Sequence, residues 1–149
     1  MYLDMSTINF PDKEDFVEVN SIKFTFSEIN SVIDKFYAKV AVDRYLRAPF
    51  SVVEHWPEHI ERLTHFWWMR FGGRPYMDVS YNPIQKHFET GFSEELLDVW
   101  LTLFKNVMSE VLTSEQTELW SMFAGNIGNA LNRNNELMKQ HYGTTKSNS

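Results

Sequence analysis

Apolar residues recur at spacings of three and four along most of this chain, in stretches separated by capping residues, prolines and glycines. Ile29, Val32, Ile33, Phe36, Tyr37 and Val40 form the first stripe, with Ser27 placed to cap it and Ala48-Pro49-Phe50 to close the segment. The second stretch, HWPEHIERLTHFWWMRF, tolerates Pro57 in its first turn and sets His59, Arg62, Leu63, Phe66 and Trp67 on one broad face. Asn82 and Pro83 suit the cap and first position of a short helix that carries His87 and stops at Gly91. Ser93, followed by Glu94 and Glu95, then opens a long helix lined by Leu97, Trp100, Leu101, Phe104, Val107, Val111 and Leu112. Thr113 and Gln116 make a capping box for the last helix, whose apolar side is Leu119, Trp120, Phe123, Ile127, Ala130 and Leu131. Gly125 and Gly128 leave grooves on it where a neighbouring element or a flat ligand can approach the backbone. The pattern predicts an all-α domain of four principal helices and one short, His-bearing helix.

Two regions lack that period. Residues 1–23 mix acids with isolated aromatics and read as an N-terminal extension, although Phe10, Phe16, Phe24 and Phe26 give this region the means to dock. Residues 144–149 are polar and are expected to fray as a flexible tail, which leaves 24–143 as the helical domain. Between the second and third long helices, Gly72 to Tyr81 forms a long connection, a kind of segment that often carries function in small domains.

Composition narrows the chemistry. With 149 residues, 43% of them hydrophobic and 15% aromatic, one domain has enough rigid apolar surface to line a cavity. A formal charge of −6 disfavours a nucleic-acid partner, which needs a basic face. The absence of cysteine excludes disulfides, thiolate zinc sites, iron–sulfur clusters and a cysteine nucleophile. No apolar run reaches the roughly 20 residues of a membrane helix, and no signal peptide opens the chain, so the cytoplasm is the expected compartment.

Four polar groups interrupt otherwise apolar helical faces. Tyr37 needs a partner for a buried hydroxyl, either a backbone carbonyl or a polar ligand. His59 lies in an aromatic stripe, and Trp100 sits two turns inside its helix. His55 and His59 stand four apart with Glu58 between them, as in a helical zinc pair, but without a clear third ligand. His87, on its short helix beside a long one, reads either as a surface or core histidine or as a single imidazole offered to a metal in an apolar crevice, haem iron being one such metal.

Taken together, FYAKV at 36–40, EHIERLTHFWW at 58–68, NPIQKH at 82–87 and VWLTLF at 99–104 resemble the truncated haemoglobins, most nearly their group III, over roughly residues 24–143. The resemblance implies a two-over-two helical sandwich around haem b, with His87 as the proximal ligand of the iron. It implies a distal site of Tyr37, His59 and Trp100, and a haem pocket of Phe50, Leu63, Phe66, Trp67 and Leu97. Arg62 and Lys86 match basic positions that can pair with haem propionates. The ligands so implied are dioxygen, nitric oxide, carbon monoxide or peroxide, met by redox chemistry or by simple gas binding or sensing. Redox turnover further implies a separate reductase, because no flavin or nicotinamide fingerprint is present. The chain departs from the family in its longer Arg74–Asn82 segment, its N-terminal extension and Pro57 near the start of the distal helix. Removal of residues 1–22 is accordingly expected to spare haem binding.

Overall fold

The computed structural model describes residues 10–48, 50, 55–77 and 94–147, with side chains described as far as residue 130. In chain order the described elements are strands β1 (Phe16–Val19) and β2 (Ile22–Thr25) and helices α1 (Phe26–Val40), α2 (Trp56–Arg70), α3 (Glu94–Val111) and α4 (Ser114–Ser147). The expected short helix, and with it Lys86 and His87, lies outside the described residues.

The hairpin is a departure from the expected extension, since a boundary at residue 23 falls inside β2. Val17 pairs with Phe24 and Val19 with Ile22 in an antiparallel register. Asn20 (φ 51°) and Ser21 (φ 65°) both adopt the left-handed conformation that a two-residue turn requires, and Asn tolerates it well. Val17 and Phe24 point inward and are buried, while Lys23 lies 4.1 Å from the centre of the outward Phe16 ring. Phe24 stacks on Phe71 at 4.7 Å and meets Trp120 edge-on at 5.8 Å, so the hairpin is part of the core.

Thr25, the last residue of β2, caps α1 in place of Ser27. Its hydroxyl accepts the Glu28 N–H at 3.1 Å, and the Glu28 carboxylate accepts the Thr25 N–H at 2.9 Å. Thr25 has Glu three residues on and so completes both halves of a capping box, whereas Ser27 has Asn30 there. The expected stripe of α1 is buried in full, Ile29, Val32, Ile33, Phe36, Tyr37 and Val40. The helix stops at Val40, before Ala48-Pro49, because Asp43 turns the chain by accepting the Tyr45 and Leu46 amides at 2.8 and 3.0 Å.

α2 has unequal ends. Its N-cap, His55, makes no side-chain capping bond, and Pro57 occupies the first turn as expected. Its C-terminus closes firmly: Gly72 (φ 99°) donates to the Met69 carbonyl at 2.9 Å and Gly73 to that of Trp68 at 2.8 Å. These two bonds form a Schellman stop, which needs a residue at positive φ.

The expected box at the start of α4 forms, with Gln116 N–H donating to Thr113 Oγ1 at 3.2 Å and Thr113 N–H to Gln116 Oε1 at 3.0 Å. Gln116 also reaches across to the hairpin, its Nε2 donating to the Lys23 carbonyl at 2.7 Å and lying 3.3 Å from both Glu28 carboxylate oxygens. One buried amide thus joins two capping boxes. The α4 backbone stays helical to Ser147, through most of the segment expected to fray.

α1 packs on α2 and α3, and α3 packs on α4, giving one helix pair laid over another. Phe36 stacks on Phe104 at 4.5 Å between α1 and α3. Trp120, fully buried, meets Trp67 at 5.5 Å, Phe71 at 5.4 Å and Phe104 at 5.5 Å, and so closes α4 onto α2 and α3. Such edge-on pairs add about 0.5–1.5 kcal/mol each beyond their buried area.

Candidate functional site

Three of the four polar groups picked out by the sequence fall within one aromatic region. Tyr37, only 2% exposed, projects from α1 and meets the imidazole of His59 on α2 edge-on, with ring centres 5.4 Å apart. Phe50 closes one side of Tyr37 at 6.0 Å, and Phe36 packs beside it at 4.7 Å. Phe36 links this group to Trp100 on α3 at 5.4 Å, and Trp100 rests on Phe104 at 5.1 Å. His59 Nε2 and Trp100 Nε1 are both sealed from solvent.

The rings of this group meet mostly edge-on or tilted, at centre distances of 4.7 to 6.0 Å. A phenol, an imidazole and an indole N–H, carried by three helices and walled by Phe rings, can donate hydrogen bonds to a small ligand that carries partial negative charge. That donor set fits the distal side of a haem. It does not fit a zinc site, since among the described residues no three His or acidic side chains converge.

The remaining expected pocket residues divide. Leu63 and Trp67 are buried on α2, and Phe66, half-buried, meets Trp67 edge-on at 5.3 Å. Trp67 faces the interior, where it contacts Phe104 and Trp120. Leu97 is buried against Gly128 of α4, at a helix contact so close that a β-carbon on the glycine would meet the leucine side chain. This bears out the sequence reading of Gly128 as a groove. Arg62 is exposed and pairs with Glu58 at 2.6 Å, one turn earlier on α2.

Two residues escaped the sequence reading. Trp56 lies 5.8 Å from Tyr37 and 5.6 Å from His59, and its position three residues before His59 on the same helix was the available signal. His65, only 3% exposed, accepts the Tyr76 backbone N–H on its Nε2 at 3.1 Å, which assigns its own proton to Nδ1. Burial lowers the pKa of His65. Burial, and then the nearby charge of Glu61, raise that of the Tyr76 phenol far above its ordinary value.

The bacterial-like globin family model matches residues 25–131, which contain the whole of this aromatic region. The chain is a bacterial-like globin. Haem iron is the cofactor that this membership implies. No curated protein matches the sequence. Among solved structures, the globin is similar to the group III truncated haemoglobin of Campylobacter jejuni, with 24% identity and a TM-score of 0.63, covering 78% of this chain and 93% of that one. It is also similar to a thermostable haemoglobin of Thermobifida fusca, with 23% identity, a TM-score of 0.62 and coverage of 72% and 89%. A truncated oxygen-avid haemoglobin of Bacillus subtilis matches at 23% identity and a TM-score of 0.61, covering 69% and 89%. These likenesses establish the truncated-globin fold, in agreement with the resemblance read from the four sequence motifs. Among the described residues no helix of this globin is long and apolar enough to cross a membrane.

Proposed function

We propose that this globin holds haem b through His87 and binds dioxygen and other small diatomic ligands on the side of Tyr37, His59 and Trp100, for redox chemistry on reactive oxygen or nitrogen species. The observation that carries the reading is the edge-on meeting of Tyr37 and His59, two polar side chains from different helices, inside an aromatic wall. When bound, haem supplies an iron that takes a diatomic ligand and shifts electron density onto it. Tyr37 and Trp100 then serve as donors to a partly anionic acceptor, a stronger interaction than either makes with carbon monoxide, which develops less charge. Phe50, Leu63 and Phe66 exclude water, which keeps those donors effective. Slow ligand release, the consequence of two such donors, suits reaction better than delivery. The similar Bacillus subtilis protein is described as oxygen-avid, a property that these donors would give this chain. Reduction of the iron falls to a separate reductase.

Visible spectra of protein purified with haem available, in ferric, ferrous and carbon monoxide forms, test the first part. One haem per chain is expected, and His87→Ala should lose tight retention or change the ferrous spectrum; an unchanged spectrum and affinity would remove His87 from the role. Mixing reduced, air-equilibrated protein with nitric oxide tests the second part, with nitrate formed in step with oxidation of the iron. Fast oxygen release with no nitrate would favour gas delivery or sensing.

A further inference from the structure

Trp56 belongs to neither the expected distal site nor the interior core, yet it touches both Tyr37 and His59. The three rings form a closed triangle: Trp56 to Tyr37 at 5.8 Å with planes tilted by 40°, Trp56 to His59 at 5.6 Å and 88°, and Tyr37 to His59 at 5.4 Å and 88°. Their anchorage differs. Tyr37 is mid-helix and buried, whereas Trp56 and His59 share the first turn of α2 and are each half-buried. That turn lacks what holds the starts of α1 and α4. His55 provides no side-chain cap, and Pro57 has no amide hydrogen to bond. Ring contact with Tyr37 ties the turn to α1 at this point.

We propose that Trp56 is a positioning residue, a latch that holds His59 inward over the distal site and closes its solvent side. For His59 to swing out, its edge-on contacts with Trp56 and Tyr37 must break, so Trp56 and His59, which share one turn, open as one unit. The indole also narrows the entrance, which sets a limit on ligand size. The proposal rests on the reading of this region as the distal side of a haem.

The test uses haem-loaded protein and flash photolysis of its carbon monoxide form. Loss of two aromatic contacts in Trp56→Ala should speed carbon monoxide entry by about tenfold. The rate of carbon monoxide release and the ferrous spectrum should stay as in the parent, which a general loosening of the pocket would not allow. Trp56→Phe, which keeps a flat ring, should restore slow entry of carbon monoxide. In a His59→Ala background the Trp56→Ala change should add less than about twofold, because the gate it acts through is gone. An entry rate unchanged in Trp56→Ala, or a full additional acceleration in the double variant, would overturn the latch. If Trp56→Ala does not fold, n-butyl isocyanide entering the Trp56→Phe protein decides the matter: the smaller ring should admit this bulky ligand roughly threefold faster than the parent, and an equal rate refutes the proposal. Protein that takes up no haem shows a flat visible spectrum before any rate is measured, and that result overturns the underlying reading.

Discussion

Replacing Tyr37 by Phe isolates one hydroxyl. The Tyr37 ring is 2% exposed and held by Phe36, Phe50, Trp56 and His59 at centre distances of 4.7, 6.0, 5.8 and 5.4 Å, so the substituted ring has no room to reorient and only the donor disappears. A hydrogen bond to a charged or partly charged acceptor contributes about 1.5 kcal/mol, and roughly 1.4 kcal/mol is tenfold in a rate or equilibrium constant. Dioxygen should therefore leave the Tyr37→Phe protein roughly tenfold faster. Carbon monoxide, which develops less charge, should leave less than about twofold faster. Trp100→Phe keeps contact with Phe36 and Phe104, and combined with Tyr37→Phe it should bring the acceleration for dioxygen toward roughly a hundredfold if both donors reach the ligand. Stopped-flow release of each gas, with the ferrous spectrum as a control on the haem, measures the effect. Equal acceleration for the two gases would mean that the hydroxyl shapes the cavity without bonding the ligand, and the distal-donor argument would fall with it.

Other predictions concern the body that holds the site. Gln116→Ala removes the acceptor for the Thr113 amide and the donor to the Lys23 carbonyl, and should cost about 2–3 kcal/mol in urea unfolding; a loss below about 0.5 kcal/mol would show that water replaces both bonds. Deletion of residues 1–22, expected from sequence alone to spare haem binding, removes β1 from beside Phe24 and should lower the unfolding midpoint by several degrees, read by circular dichroism, while the haem spectrum of the folded protein is kept. His65 has a folded-state pKa below the ordinary 6.5, so the unfolded chain takes up the proton more readily. Its contribution is therefore complete above about pH 6.5 and is lost as pH falls from there through the lower folded-state pKa; urea midpoints at about pH 7.5 and 5.5 should differ by more in the parent than in His65→Gln.

The long helices were legible because their burial is one-sided, and each of the six apolar positions of α1 is covered by the neighbours that a stripe presupposes. The box of Thr113 and Gln116 was legible because both halves are local. The hairpin was not, since Val17, Val19, Ile22 and Phe24 alternate with period two over strands of four residues, too short to stand out in a search for helical spacing. His65 was missed for a different reason: residues 73–77 fold back over the end of α2 and cover a side that the apolar stripe leaves polar. Arg62 pairs with Glu58 four residues earlier, a partner that the same helical spacing offers. In the candidate site, Tyr37 and His59 were legible as polar tips on apolar faces, whereas Trp56 precedes Pro57 at the start of α2 and is linked to His59 only by a spacing of three.

The distribution of anchoring around the site assigns different tasks to its polar groups. Tyr37 lies on a helix that a full capping box fixes at Thr25 and that Phe36 locks to α3 through the stacked Phe104. Trp100 shares that lock, with its ring against both Phe36 and Phe104. Groups held this firmly can keep their donors aimed without further ordering when a ligand arrives, which is what makes a hydrogen bond count fully toward retention. His59 is anchored differently, because its turn begins at an uncapped His55 and is tied to α1 by aromatic contact. Each aromatic contact of that kind contributes about 0.5–1.5 kcal/mol, and side-chain gates open on the microsecond to millisecond scale. Removing a fixed donor should then show in release rates and removing the movable pair in entry rates, so measuring both in the same variants separates retention from admission.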